Sequence, residues 1–265
     1  MKEYDKYLKL LKEKYPTKQS VYRELINLNA IMNLPKGTEH FMSDLHGEYD
    51  AFYHIINNCS GVIREKVAML YGDELTVYEQ QELCTLIYYP REKLSILMDE
   101  NKVNDEWYRN VLDQLIQIAK LQPSKYTRSK VRKAMPVDFA YIIDELIHAQ
   151  KDEDDNRSVY HRQIMETILS LHNGDEFLVA LTDLIKRLAV DHLHILGDIY
   201  DRGAHADKIL DLLMEHHSVD IQWGNHDILW MGAFCGNPVC MALVVWINIK
   251  YKSRSILENG YGISL

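Results

Sequence analysis

Three short segments limit what this chain can fold into. Each runs from an extended stretch into a glycine-containing loop rich in metal-ligand side chains. The first is Ser43-Asp44-Leu45-His46-Gly47, the second Leu196-Gly197-Asp198-Ile199-Tyr200-Asp201-Arg202-Gly203, and the third Trp223-Gly224-Asn225-His226-Asp227. Residues 191–196 alternate with period two before the second loop, and a short strand over 219–223 precedes the third. Strand ends that open into one crevice are where open α/β sheets place their ligands. Carboxylate, imidazole and amide oxygens together suit a borderline-hard divalent ion such as Mn²⁺, Fe²⁺ or Zn²⁺. Alone, Asp-x-His reads equally as a helix cap with a surface histidine, and Gly-Asn-His-Asp as a turn with a left-handed Asn. The three in order, each behind a strand, are hard to explain as turns.

Between the first two loops the spacing is helical. Leu94, Ile96 and Leu97 belong to one run, Val111 to Ile118 to another, and Phe139 to Ile147 to a third. Runs over 159–172 and 176–188 follow, and residues 151–155, all charged, read as a solvated loop. Before the first strand the pattern predicts helices over 4–15, broken by Pro16, and 21–32; after it, one over 48–57. A further helix is expected over 206–216. The division is therefore residues 1–59, helices with the first strand and loop; 60–190, a helical insertion; and 191–265, the second part of the α/β core.

Composition excludes some functions. The formal net charge of −9 argues against nucleic acid as the main partner, since phosphate-backbone binding needs basic patches. It leaves room for a small phosphate ligand, because bound divalent cations reverse the field of an acidic site. The most apolar stretch, 239–249, is too short for a membrane span, and the charged first residues carry no secretion signal. The four cysteines form no CxxC pair, which suits a reduced, cytoplasmic protein; buried thiols are the commoner reading for Cys235 and Cys240 than metal ligation.

The set DLHG, GDIYDRG and GNHD resembles the calcineurin-like metallophosphoesterases. Within them it is most similar to the class III fructose-1,6-bisphosphatases of firmicute bacteria. The sequel Glu48-Tyr49-Asp50-Ala51-Phe52, the helical extension before the first strand and the 154 positions between Asp44 and Asp198 narrow the match. In protein Ser/Thr phosphatases of the superfamily that separation is far shorter. The resemblance implies a calcineurin-like β-sandwich core carrying a large all-helical insertion, and two Mn²⁺ ions as cofactor. Asp44 and His46 are implied as ligands of the first metal, Asp198 as the bridging carboxylate and Asn225 as a ligand of the second. His226 is implied as the catalytic histidine facing the leaving oxygen, with Asp227 holding its other ring nitrogen and Arg202 binding phosphate. Asp201 is expected to support the loop or Arg202. The implied reaction removes the 1-phosphate of fructose 1,6-bisphosphate, a step of gluconeogenesis, with a small phosphorylated sugar as partner.

Only 38 residues follow Asp227, and none is histidine. The family pattern has further histidines beyond that point, so the expectation is a core incomplete at its C-terminus, a second metal site short of ligands, and little activity of the chain by itself. Among the remaining histidines (His192, His194, His205, His216 and His217), His194 is the first to inspect as a replacement. Alternatives from other classes are a protein Ser/Thr phosphatase, a dinucleoside-polyphosphatase, or a non-enzymatic piece that needs a separate C-terminal half. The helical insertion is the candidate surface for homo-oligomer contacts or for a regulator.

Overall fold

A computed structural model describes residues 2–149 and 155–264. Of the charged run at 151–155, residues 151–154 lie outside the described residues, and Asp155 opens a helix instead of ending a loop. The elements in chain order are α1 (Lys2–Lys14), α2 (Lys18–Ile31), β1 (Glu39–Met42), α3 (Tyr49–Asn58), α4 (Val62–Tyr71), α5 (Val77–Tyr88), α6 (Pro90–Asp99), α7 (Asp105–Leu121), α8 (Arg128–Ala134), α9 (Ala140–His148), α10 (Asp155–Ser170), α11 (Gly174–Ala189), β2 (His192–Ile195), α12 (Ala206–Glu215), β3 (Val219–Ile221), α13 (Asn225–Phe234) and α14 (Pro238–Lys250).

Local chemistry sets the helix starts. Thr17 and Thr76 each close a capping box, with Ser20 and Glu79. Asn104 accepts the Trp107 amide at 2.8 Å and starts α7. Pro90 and Pro238 occupy first turns, where a missing amide hydrogen costs nothing.

Helices α4 to α11 share one apolar core. Its axis is α11, which packs against α4, α5, α6, α7, α8 and α10. Phe177, Leu178, Leu181 and Ile185 of α11 are fully buried, at helical spacing. Acids at its first turn, Asp175 and Glu176, and bases at its last, Lys186 and Arg187, complement the helix dipole.

A second core lies under the sheet. The three strands are parallel, in the order β1-β2-β3. The whole helical block connects β1 to β2, and α12 connects β2 to β3. Strand alternation sends Leu193 and Ile195 into this core with Phe52, Ile209 and Leu213, and leaves His192 and His194 on the other face. Among the described residues this is the only sheet.

The C-terminal helices α13 and α14 pack on each other. α14 is apolar almost all round, and much of it is exposed: Val239, Trp246 and Ile249 face solvent, as does Phe234 at the end of α13, 94% exposed. No helix among the described residues is long and apolar enough to cross a membrane.

Candidate metal centre

Backbone pairing beyond the strands brings the first two loops together. The Leu196 amide donates to Met42 O at 2.7 Å, His46 N to Asp198 O at 2.8 Å, and Gly47 N to Ile199 O at 2.8 Å. Gly203 N then donates to His46 O at 2.6 Å. This approach needs glycine on both sides: a Cβ on Gly47 would lie 2.6 Å from the Gly203 carbonyl oxygen, and Gly47 has φ +71. A Cβ on Gly197 would sit 2.5 Å from the Gly224 amide nitrogen, which fixes the second loop against the third.

Three residues at this junction hold left-handed backbone without being glycine: Asp44 (φ 56), His46 (φ 48) and Asp198 (φ 52). Such conformations persist where surrounding structure over-determines them, and they concentrate at functional sites. The same three side chains form one group whose potential ligand atoms all lie within 4.8 Å of one another. His46 Nε2 is 3.6 Å from Asp44 Oδ1. Two carboxylates and an imidazole are a donor set for a borderline-hard divalent cation, so the residues fit such an ion.

Asp201 lies inside the cluster, with its side chain 8% exposed. It accepts from Arg202 Nε at 2.9 Å, and stands 3.4 Å from His226 Nε2 and 3.9 Å from His46 Nε2. One carboxylate thus faces both imidazoles and the arginine. Arg202 keeps 58% of its side chain in solvent, leaving guanidinium nitrogens open to an anion.

The third loop joins through α13. The His226 amide donates to Asp198 Oδ1 at 3.3 Å. Asn225, the first residue of the helix, is exposed beside it. Asp227 does something other than hold the second nitrogen of His226. It is 5% exposed, and three backbone amides occupy its oxygens: Ile199 N at 2.9 Å, Tyr200 N at 3.1 Å and Gly224 N at 2.8 Å. It is the strut between the second and third loops. The carboxylate near the His226 ring is Asp201, a partner that sequence alone did not reveal.

Elsewhere, His216 and His217 stack on each other at the end of α12, and His205 starts that helix. Cys235 is exposed and Cys240 half-buried. None of these belongs to a group that could hold a metal among the described residues, whereas His192, His194 and Asp220 form a second such group.

The sequence model of the firmicute fructose-1,6-bisphosphatase family matches residues 6–265. Fructose-1,6-bisphosphatase class 3 of Listeria monocytogenes is 55% identical over 260 residues, 98% of this chain and 40% of its own length. Fructose-1,6-bisphosphatase class 3 1 of Clostridium beijerinckii is 53% identical over 275 residues, covering 100% of this chain and 41% of its own length. Fructose-1,6-bisphosphatase class 3 of Clostridium acetobutylicum is 53% identical over 98% of this chain and 39% of its own length. No solved structure matches. The chain spans about 40% of the length of the curated relatives it matches. It belongs to the firmicute fructose-1,6-bisphosphatase family.

Proposed function

We propose that this member of the family carries the metal-binding and phosphate-binding part of a metal-dependent phosphomonoesterase that converts fructose 1,6-bisphosphate to fructose 6-phosphate and phosphate. The observation that carries the reading is the convergence of Asp44, His46 and Asp198, all on left-handed backbone, with Arg202 and His226 around Asp201. The three-stranded sheet, with its ligands at strand ends, is read as part of a calcineurin-like core. Four free cysteines suit a cytoplasmic setting.

Asp44, His46 and Asp198 would hold a divalent cation, Mn²⁺, and Asp198 with Asn225 would face a second. Bound there, such a pair supplies Lewis-acid stabilisation to the attacking and leaving oxygens. The chain's own groups do the rest. Arg202 binds equatorial phosphate oxygens, and the Asp201 carboxylate on its Nε sets the direction of the fork. Protonated at Nε2, His226 carries the proton that the departing sugar oxygen needs. Asp201, 3.4 Å from that same nitrogen, holds the ring in place until the sugar oxygen takes its position at Nε2. Asp227 keeps the second and third loops at a fixed separation by binding amides of both.

The test is phosphate release from fructose 1,6-bisphosphate with Mn²⁺, by this chain and by Asp198→Asn, each supplied with the C-terminal part of a class 3 relative, beside a phosphopeptide and a dinucleoside polyphosphate. Release from the sugar bisphosphate that falls at least about 100-fold in Asp198→Asn supports the reading. Preference for either other substrate, or release indifferent to Asp198, contradicts it.

A further inference from the structure

On the sheet face turned away from the core, the register aligns polar side chains that no separate motif announces. Phe41 of β1 pairs with His194 of β2, which pairs with Asp220 of β3; Glu39 pairs with His192. Asp220 Oδ1 lies 2.8 Å from His194 Nδ1, and Asp220 Oδ2 lies 3.1 Å from His192 Nε2. The other nitrogen of His192 is bound to Ser218 Oγ at 2.6 Å. The ring of Phe41 stacks on that of His194, with centroids 4.4 Å apart. The potential ligand atoms of His192, His194 and Asp220 all lie within 4.8 Å of one another.

Hydrogen bonds alone leave this trio unsatisfied. His194 Nε2 is shielded from solvent and has no hydrogen-bond partner; its nearest carboxylate oxygen, Glu39 Oε2, is 3.9 Å away. If Nδ1 carries the ring proton and donates to Asp220, Nε2 is a buried lone pair without a donor. With the proton on Nε2, a lone pair on Nδ1 faces a carboxylate oxygen at 2.8 Å. A cation on Nδ1 removes the conflict there and leaves the ring proton on Nε2. It replaces the proton between His194 and Asp220, and Nε2–H then has the Glu39 carboxylate 3.9 Å away, within reach of a small side-chain movement or one bridging water.

We propose that His192, His194 and Asp220 form a second cation site, separate from the Asp44–His46–Asp198 group, that takes a borderline divalent ion of the Zn²⁺ or Co²⁺ class. Two imidazoles and one carboxylate are donors such ions accept, and three protein ligands leave a fourth position open. Metal–ligand bonds of about 2.0–2.1 Å at tetrahedral angles place neighbouring donors about 3.3 Å apart. The two imidazoles stand 2.8 and 3.1 Å from the two oxygens of the one Asp220 carboxylate, and all three donors lie within 4.8 Å, so side-chain rotation closes the set on one ion. The site joins β2 to β3, and Asp198 follows His194 by four residue steps, at most about 13 Å. Its expected role is to staple the strands whose ends carry the second and third loops. The inference is independent of the phosphatase reading.

The experiment uses the full chain carrying Asp198→Asn, which weakens the first group, freed of metal with a chelator. It is titrated with Zn²⁺ by calorimetry and with Co²⁺ by visible absorption. The same background with His192→Gln or Asp220→Asn is the comparison, and circular dichroism checks the fold of each. The proposal predicts at least one equivalent in the Asp198→Asn chain, one of which binds at least about tenfold more weakly when either ligand is replaced. It also predicts that Zn²⁺ moves the imidazole ¹⁵N resonance of His194 Nδ1, a readout that needs no second variant. No bound equivalent, unchanged affinity in both ligand variants, or an unmoved His194 resonance overturns it.

Discussion

Asp227 shows how much one side chain can carry. Its two oxygens take three amides from two loops, in a place with little access to water. Stranding buried amides costs about 1–3 kcal/mol each, with partial relief from water. Asp227→Ala is expected to lower stability by about 3 kcal/mol in urea unfolding, and Asp227→Asn by less, since it keeps one acceptor. A loss below about 1 kcal/mol would show that the loops hold together without it. Its position next to His226 suggests a catalytic pair, but two of its three partners are 27 and 28 positions earlier, and only the fold reveals those. Asp201 was legible as support for Arg202; its place before the two imidazoles was not. His216 gives a pH signature at the same scale. Burial first, and the neighbouring His217 next, press its pKa down to about 4 from an ordinary 6.5. Between those values the unfolded chain takes up a proton that the folded chain refuses, so stability falls as pH drops through that window and is untouched above it. The effect is about 1–2 kcal/mol, reduced because the ring is only partly buried. His216→Gln should flatten the slope of unfolding free energy between pH 6.5 and 4; an unchanged slope contradicts the assignment.

Elements with a strong apolar period were the easiest to read. The runs at 111–118 and 139–147 and the one at 176–188 became α7, α9 and α11, because one face of each meets the shared core at every third or fourth residue. α14 was missed for the opposite reason: apolar on nearly every side, it has no stripe to find, and the stretch 239–249 could be judged only as too short for a membrane. The α13–α14 pair therefore entered only with the fold, and so did the register that sets Asp220 beside His194, because lateral pairing between strands leaves no mark in either strand's own sequence. The axis of the helical block yields a direct check. Phe177, with no exposed surface, stacks edge-on against Phe139 at 5.4 Å between centroids. Phe177→Ala is expected to cost about 3–5 kcal/mol, measured by thermal or urea unfolding, from lost burial plus the cavity left behind. A cost under about 1 kcal/mol would mean the helices repack around the gap and α11 is not their axis.

For the molecule as a whole, two apolar cores lie side by side: a helical one, and a smaller one beneath the sheet that positions the candidate metal centre. The three motifs made the α/β core and its helical interruption readable, because glycine-rich loops at strand ends are local in sequence. The central claim, that the strained junction of the first two loops is a divalent-cation site, is independent of catalytic turnover. Its most direct test is calorimetric titration of the metal-free chain with Mn²⁺, against Asp44→Asn and Asp198→Asn. The account predicts binding by the chain, weakened at least about tenfold in each variant, with circular dichroism unchanged. Equal affinity in all three proteins, or no binding by the chain, would contradict it.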